Sequence, residues 1–315
     1  MSHPDLSSAT PLRIVSLLPS ATEILAALNL TSFIVGRSHE CDYPPEISDR
    51  PICTSARLSP NKPSADIDAD VKTLLQSALS IYEIQLEVLR DLQPTHIVTQ
   101  DQCDVCAVNF SLVEAAVATL SEPRPKVISL QPHTLNDVWA DIERVATELQ
   151  VDATPVITAL NTRVESCQKT THAGSNRPTV AAIEWIDPLM GSGNWIPELM
   201  ELAGGKDLFG TVGSHSPYIS WDALLAADPD VIVVMPCGFD LARTHQEMQQ
   251  AVAAHPQWQQ LRAVQQQQLY LTDGNAYFNR PGPRLVESLE ILAEILHPDL
   301  LQPNHKGNGW QLFVG

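Results

Sequence analysis

Residues 95–108 read THIVTQDQCDVCAV, and the order of residue types in this stretch decides the fold class. His96 to Thr99 form a short apolar strand pattern, and Gln100 to Asp104 make a polar exit. From Cys106 onward Val108, Leu112, Val113 and Val117 fall at helical spacing. A strand that feeds a helix through a polar turn is the building unit of an α/β sheet. Chemistry carried by that turn sits at the strand's carboxyl end, the edge at which open α/β sheets bind ligands.

The same grammar extends outward on both sides. Upstream, RIVSLL (13–18) reads as a strand followed by PSAT and a helix over 23–28, and FIVG (33–36) reads as a second strand. The loop RSHECDYPP (37–45) follows it and carries His39, Glu40 and Cys41. From 66 to 92 apolar residues recur at helical spacing (Val71, Leu74, Leu75, Leu79, Ile81, Leu86, Leu89), which predicts helix up to Gln93-Pro94. KVISL (126–130) is a further strand. Downstream, a largely helical region runs over 135–167, with Thr154-Pro155 able to restart it. Strands at 179–183, 231–235 and 269–272 then alternate with helices at 196–202, 244–261 and 283–296.

The expected fold is therefore α/β: two doubly wound α/β lobes joined by a long helical connector, with a ligand cleft between the lobes. The expected divisions are a disordered N-terminus (1–12), an N-terminal lobe (13–133), the connector (134–173), a C-terminal lobe (174–298) and a C-terminal tail (299–315).

Candidate ligand-binding residues are those that follow strands. They are Ser20, His39, Glu40, Gln100 and Asp101 in the first half, and Glu184, Trp185, Asp187, Asn275, Tyr277, Phe278 and Arg280 in the second. Aromatic rings offer flat apolar surface, and arginines such as Arg280 and Arg284 can hold carboxylate or phosphate edges. No nucleophile–base pair stands out, so binding rather than catalysis is expected.

Of the six cysteines, Cys41, Cys103, Cys106 and Cys237 fall on strand-exit loops, while Cys53 and Cys167 do not. Four thiolates could hold zinc or an iron–sulfur cluster, and Cys103-x-x-Cys106 could alternatively act as a redox dithiol ahead of a helix. A metal site of that kind would allow an enzyme, and inert thiols beside the site are the leading alternative to both readings.

A formal charge of −18 argues against nucleic acid or an anionic membrane as partner. No apolar run reaches membrane-spanning length, and MSHPDLSSATPLR lacks a secretory-signal pattern. A cytoplasmic protein is the expectation.

These residues bring a family into view. RIVSLLPSATEILAALN (13–29), DYPPE (42–46), LRDLQPTHIV (89–98), WDALLAADPDVIVV (221–234) and RPGPRLVESLEILAEIL (280–296) together resemble the class III solute-binding proteins, which include periplasmic vitamin B12-binding and iron-siderophore-binding proteins. The resemblance covers residues 13 to about 296. It implies two α/β lobes bridged by a rigid helix, a corrinoid (cobalamin-like) or other metal-chelate ligand, and cleft-lining loops at Pro19-Ser20, before Asp42-Tyr43 and around Tyr277–Arg280. The family delivers its ligand to an ABC transporter. With no export pattern, this chain looks more like a cytoplasmic cobalamin-binding branch, for which an ABC transporter partner is not expected.

Overall fold

Short apolar runs separated by helices can pair only in parallel, because each connecting helix carries the chain back along the sheet before the next strand begins. The computed structural model describes residues 11–76, 81–101, 109–174 and 177–314. The chain divides into two compact units, Met1–Arg57 with Leu79–Leu130, and Leu58–Ala78 with Gln131–Gly315.

In unit one the elements are β1 (Ile14–Ser16), α1 (Pro19–Ala27), β2 (Ile34–Arg37) and β3 (Thr54–Ala56). Helix α2 (Ser64–Gln76) comes next in sequence but packs with unit two. Unit one resumes with β4 (Tyr82–Ile84), α3 (Leu86–Leu92), β5 (His96–Gln100), α4 (Phe110–Ala118) and β6 (Lys126–Leu130). Its main sheet has the order β2-β1-β5-β6 with every pairing parallel, so all four strand exits share one edge. β3 and β4 form a separate antiparallel ribbon, Thr54 opposite Ile84.

After α2, unit two continues with α5 (Leu135–Glu148) and α6 (Thr154–Thr171). It continues through β7 (Thr179–Trp185), β8 (Met190–Gly191), α7 (Ile196–Leu202), β9 (Lys206–Asp207), α8 (Trp221–Ala227), β10 (Val231–Val234) and α9 (Leu241–Ala254). It closes with α10 (Arg262–Gln265), β11 (Leu269–Thr272), α11 (Leu285–Leu296) and β12 (Trp310–Leu312). The sheet order is β12-β11-β10-β7-β8, with β9 also on β7. β7, β10 and β11 run parallel, whereas β12 is antiparallel to β11. All four residues of β10 are buried, as a strand covered by helices on both faces requires. Ile183, Ile232, Val234 and Leu271 of the strands pack with Met248, Trp258 and Leu261 in the core of this unit.

Local chemistry sets the helix starts. Thr134 and Asp137 form a reciprocal capping box at α5: the Asp137 N–H donates to the Thr134 hydroxyl, and the Thr134 N–H donates to the Asp137 carboxylate at 2.9 Å. Ser220 and Asp240 cap α8 and α9.

Three expectations change and one, the restart at Thr154-Pro155, is met. The helix predicted over 66–92 is two helices, α2 and α3, with β4 between them, because Tyr82 and Ile84 are strand formers that β3 can pair. Thr154-Pro155 does restart a helix, after a break at which Gln150 has φ 57°. The helix predicted over 244–261 stops at Ala254, where Pro256 starts a 3₁₀ turn. Finally, the tail beyond residue 298 contributes β12 to the sheet.

Helix α2 is unusual in what holds it. Of its described side chains only Ser64 is buried, and its ties to unit two are polar. The Ser64 N–H donates to Glu247 Oε1 at 2.7 Å, and Trp185 Nε1 donates to the Ser64 carbonyl at 3.2 Å. The Tyr218 hydroxyl donates to Asp68 at 3.0 Å, and Arg243 donates to the Lys62 carbonyl at 2.6 Å just ahead of the helix. Among the described residues no helix is long and apolar enough to cross a membrane.

Candidate functional site

At the strand-exit edge of unit one, Ser20 lies in the first turn of α1, 1% exposed, and its hydroxyl has no hydrogen-bond partner among the described residues. The Thr99 hydroxyl, near the end of β5, is likewise buried without one among them. Gln100 is 3% exposed at the last position of β5, and Asp101 after it is exposed.

After β2 the chain turns through 38–48, held by Arg37, whose guanidinium donates to the carbonyls of Ser38, Cys41 and Ser48. That turn sets up His39. The Thr54 hydroxyl accepts the His39 backbone N–H at 3.1 Å and faces His39 Nδ1 at 2.8 Å, while its own proton goes to the Ser38 hydroxyl at 3.0 Å. The imidazole lies against the Tyr82 ring, centroids 5.5 Å apart, and the Tyr82 hydroxyl donates to Glu40 at 3.0 Å. Burial, followed by the charge of Arg37, holds the His39 pKa below its ordinary value.

The edge of unit two collects the second group. Trp185 ends β7, and its ring meets that of Phe239, which follows β10, at 5.3 Å. The guanidinium of Arg243 lies 4.8 Å from the Phe239 ring centroid and pairs with Glu247 at 3.0 Å. After β11 the chain makes a single wide turn over Gly274–Phe278, capped by the Asp273 carboxylate. Glycine is required at 274, since a Cβ there would lie 2.2 Å from the Pro236 carbonyl oxygen. That close approach joins the exits of β10 and β11, with Asn275 N–H donating to the Phe239 carbonyl at 3.1 Å. Arg280, 5% exposed, donates to Asn275 Oδ1 at 3.1 Å. Tyr277 carries the Arg284 guanidinium 4.5 Å from its ring centroid.

Two of the predicted residues, Phe278 and Glu184, do structural work. Phe278 is fully buried, so its ring offers no surface to a ligand. The Glu184 carboxyl accepts the Ser216 hydroxyl at 2.7 Å and is pushed up in pKa by burial, which fits an internal tie. Asp187 faces His255, at 3.9 Å from its Nε2.

The cysteine reading does not gain support. Cys103 and Cys106, and with them the dithiol alternative, lie outside the described residues. Cys41 belongs to unit one, 1% exposed, with the Thr22 hydroxyl 3.0 Å from its sulfur, and Cys237 is an exposed residue of unit two. Among the described residues no three His, Cys, Asp or Glu side chains are grouped to hold a metal ion. Burial pushes the thiols of Cys53 and Cys167 up to about 12, which makes them inert. A pocket beside Cys167, between α6, α11 and residues 301–305, is lined by charges that already pair, Arg163 with Glu290 and His305 with Glu294.

The periplasmic binding protein family model matches residues 14–276, which span β1 through the turn after β11. The chain belongs to the periplasmic binding protein family. A vitamin B12-binding protein of Vibrio cholerae is 22% identical over 297 residues, covering 90% of this chain and 88% of that one. An uncharacterized ABC transporter substrate-binding lipoprotein, YvrC of Bacillus subtilis, is 22% identical over 296 residues, 92% of this chain and 81% of its own. The apo structure of the periplasmic heme-binding protein RhuT from Roseiflexus sp. RS-1 shares the fold, with a TM-score of 0.68, 20% identity, and coverage of 93% of this chain and all of RhuT.

For this family member, sequence reading missed the partners that orient the site. Thr54 and Tyr82 reach His39 from a ribbon 15 and 43 residues away, and Arg243 and Glu247 come from the first turns of α9. The Asp240 cap was the one local sign that a helix starts beside Phe239.

Proposed function

We propose that the chain is a non-catalytic binding protein for a metal-centred macrocyclic chelate, a corrinoid in the first instance and haem as the alternative. The observation that carries the reading is the strand-exit edge of unit two, where Trp185, Phe239 and Tyr277 supply aromatic surface beside Arg243 and Arg284. Flat rings suit the apolar faces of a macrocycle, and the two guanidinium groups, held by Glu247 and the Lys62 carbonyl and by Glu287, brace those rings. The ligands named for the V. cholerae and Roseiflexus proteins belong to this chemical class and support the choice.

The name of the Bacillus relative supports an ABC transporter as partner, against the expectation drawn from the amino terminus. The cytoplasmic expectation is tested by fractionating cells that make the full chain; recovery from the periplasmic or membrane fraction overturns it.

The binding test is a spectral titration of the purified chain with aquocobalamin, haemin and a ferric hydroxamate. Saturable, stoichiometric uptake of aquocobalamin or haemin at micromolar or better affinity supports the reading. Uptake of the hydroxamate alone, or of none, overturns it.

A further inference from the structure

The backbone at the start of α2 holds three side chains of the strand-exit edge of unit two. The Lys62 carbonyl accepts Arg243 Nη2 at 2.6 Å, the Ser64 N–H donates to Glu247 Oε1 at 2.7 Å, and the Ser64 carbonyl accepts Trp185 Nε1 at 3.2 Å. All of these groups lie in one compact unit, because Leu58–Ala78 packs with Gln131–Gly315. The edge is thereby engaged by the chain itself. Arg243 Nη2 divides its protons between Lys62 and Glu247, and Trp185 Nε1 is shared between the carbonyls of Ser64 and Asp187. Phe239 is 4% exposed, with the Arg243 guanidinium 4.8 Å from its ring centroid and the Trp185 ring at 5.3 Å. In this state its ring offers a solute almost no surface.

What holds that state is easily lifted. Ile67, Val71 and Leu74 share the Ser64 face of α2, and all three stay only half-buried, so apolar packing contributes little. The rest of the hold is polar. The Tyr218 hydroxyl donates to Asp68 at 3.0 Å, and the Lys72 ammonium lies 4.8 Å from the Tyr218 ring centroid. Hydrogen bonds that can be exchanged for bonds to water are worth little net, whereas an apolar solute seated on Trp185 and Phe239 removes ring surface from water.

We propose that residues 62–76 form an internal strap that occupies the ligand edge of unit two in the empty protein, and that the solute enters by displacing it. This rests on the reading above and adds the regulation of that same edge. Strap and solute compete for Trp185, Phe239 and Arg243, so the apparent affinity is the intrinsic affinity reduced by the fraction of molecules in which the strap is lifted. Lifting it also frees one Arg243 donor for an acceptor on the rim of the solute. No covalent bond changes.

The test uses the full chain with aquocobalamin and, separately, haemin. It compares wild type with Tyr218→Phe, which removes the bond to Asp68 without touching the ligand edge, and with Ser64→Pro, which removes the N–H given to Glu247 at a position where a helix accepts proline. Circular dichroism first establishes that both variants are folded. Each variant should bind tighter than wild type by roughly three- to tenfold, the worth of one hydrogen bond, with faster association. In the wild type, saturation with chelate should speed amide exchange over residues 62–74. A variant that binds more weakly, or exchange over 62–74 that slows or stays the same on loading, overturns the strap while chelate binding stands. Uptake by the variants but not by wild type supports both strap and function. If neither wild type nor variants take up either chelate, the functional reading falls and the strap falls with it.

Discussion

Asp141 of α5 has 1% of its side chain exposed and accepts the Gln131 backbone N–H at 3.1 Å. Burial raises its pKa to about 6, against the opposing charge of Arg144. An unfolded aspartate titrates near ~4, so between that value and about 6 the folded chain binds more protons than the unfolded chain. This carboxylate therefore costs stability progressively as pH rises through that window, and the cost is constant above it. Asp141→Asn keeps the acceptor for Gln131 and removes the titration. Thermal melts should show the variant gaining on wild type from pH 4 to pH 6 and then running parallel; a pH-independent difference would refute the assignment. Glu294, 4% exposed, receives the N–H groups of Asn304 and His305, His305 Nδ1 and, at 2.7 Å, Trp310 Nε1. Glu294→Ala leaves several of these donors unpaired, and urea unfolding should show a loss of about 3 kcal/mol, with Glu294→Gln losing less. At this scale the sequence was only half legible. Strand-exit position picked out His39, Trp185 and Tyr277, but nothing near them in the chain announced Thr54 or Arg243, because those partners arrive through pairing and packing over distance. Phe278 was misread as a ligand surface because an aromatic residue beside Tyr277 looks the same in sequence whether it faces out or in.

Helix α2 is the element most easily moved. Its anchorage is a few hydrogen bonds with little apolar burial, and a 13-residue helix is marginal by itself. Glu247→Ala removes the charged acceptor for the Ser64 N–H. Amide exchange across residues 62–74 should then accelerate by about tenfold or more, the equivalent of one charge-assisted hydrogen bond, while β10 and β11 keep their protection. Equal acceleration in β10 would show that the whole unit had loosened instead. The parallel strands were legible because a short buried run such as VIVV, bounded by turn residues, is too brief for a helix and too apolar for a loop. The 66–92 region was not, since Tyr82 to Ile84 continue an apolar spacing that suits a helix, and the preference for a strand appears only once β3 is alongside. β12 was missed for the same reason: three residues carry no periodicity, and the edge of β11 supplies what their sequence lacks.

Charge acts on the molecule as a whole. With 37 acidic against 19 basic side chains the chain repels anions at long range, and the arginines at the strand exits must overcome that field locally. Raising ionic strength from about 0.02 to 0.5 M shortens the reach of the repulsion severalfold. In stopped flow the association rate of haemin, which carries free carboxylates, should rise over this range, and that of aquocobalamin, a cation without them, should not rise. A fall for haemin would mean that the local arginines dominate the approach. The excursion of residues 58–78 has a different kind of consequence, one for ancestry. By sequence they lie between two strands of unit one, and by contact they belong to unit two, where Ser64 meets Glu247 and Trp185. Neither half can then be handed down or exchanged as a contiguous block of gene. A hybrid joined at residue 130 to a relative's second half would carry one parent's helix against the other parent's docking residues, so lineages of this kind should change α2 and α9 in step or not at all.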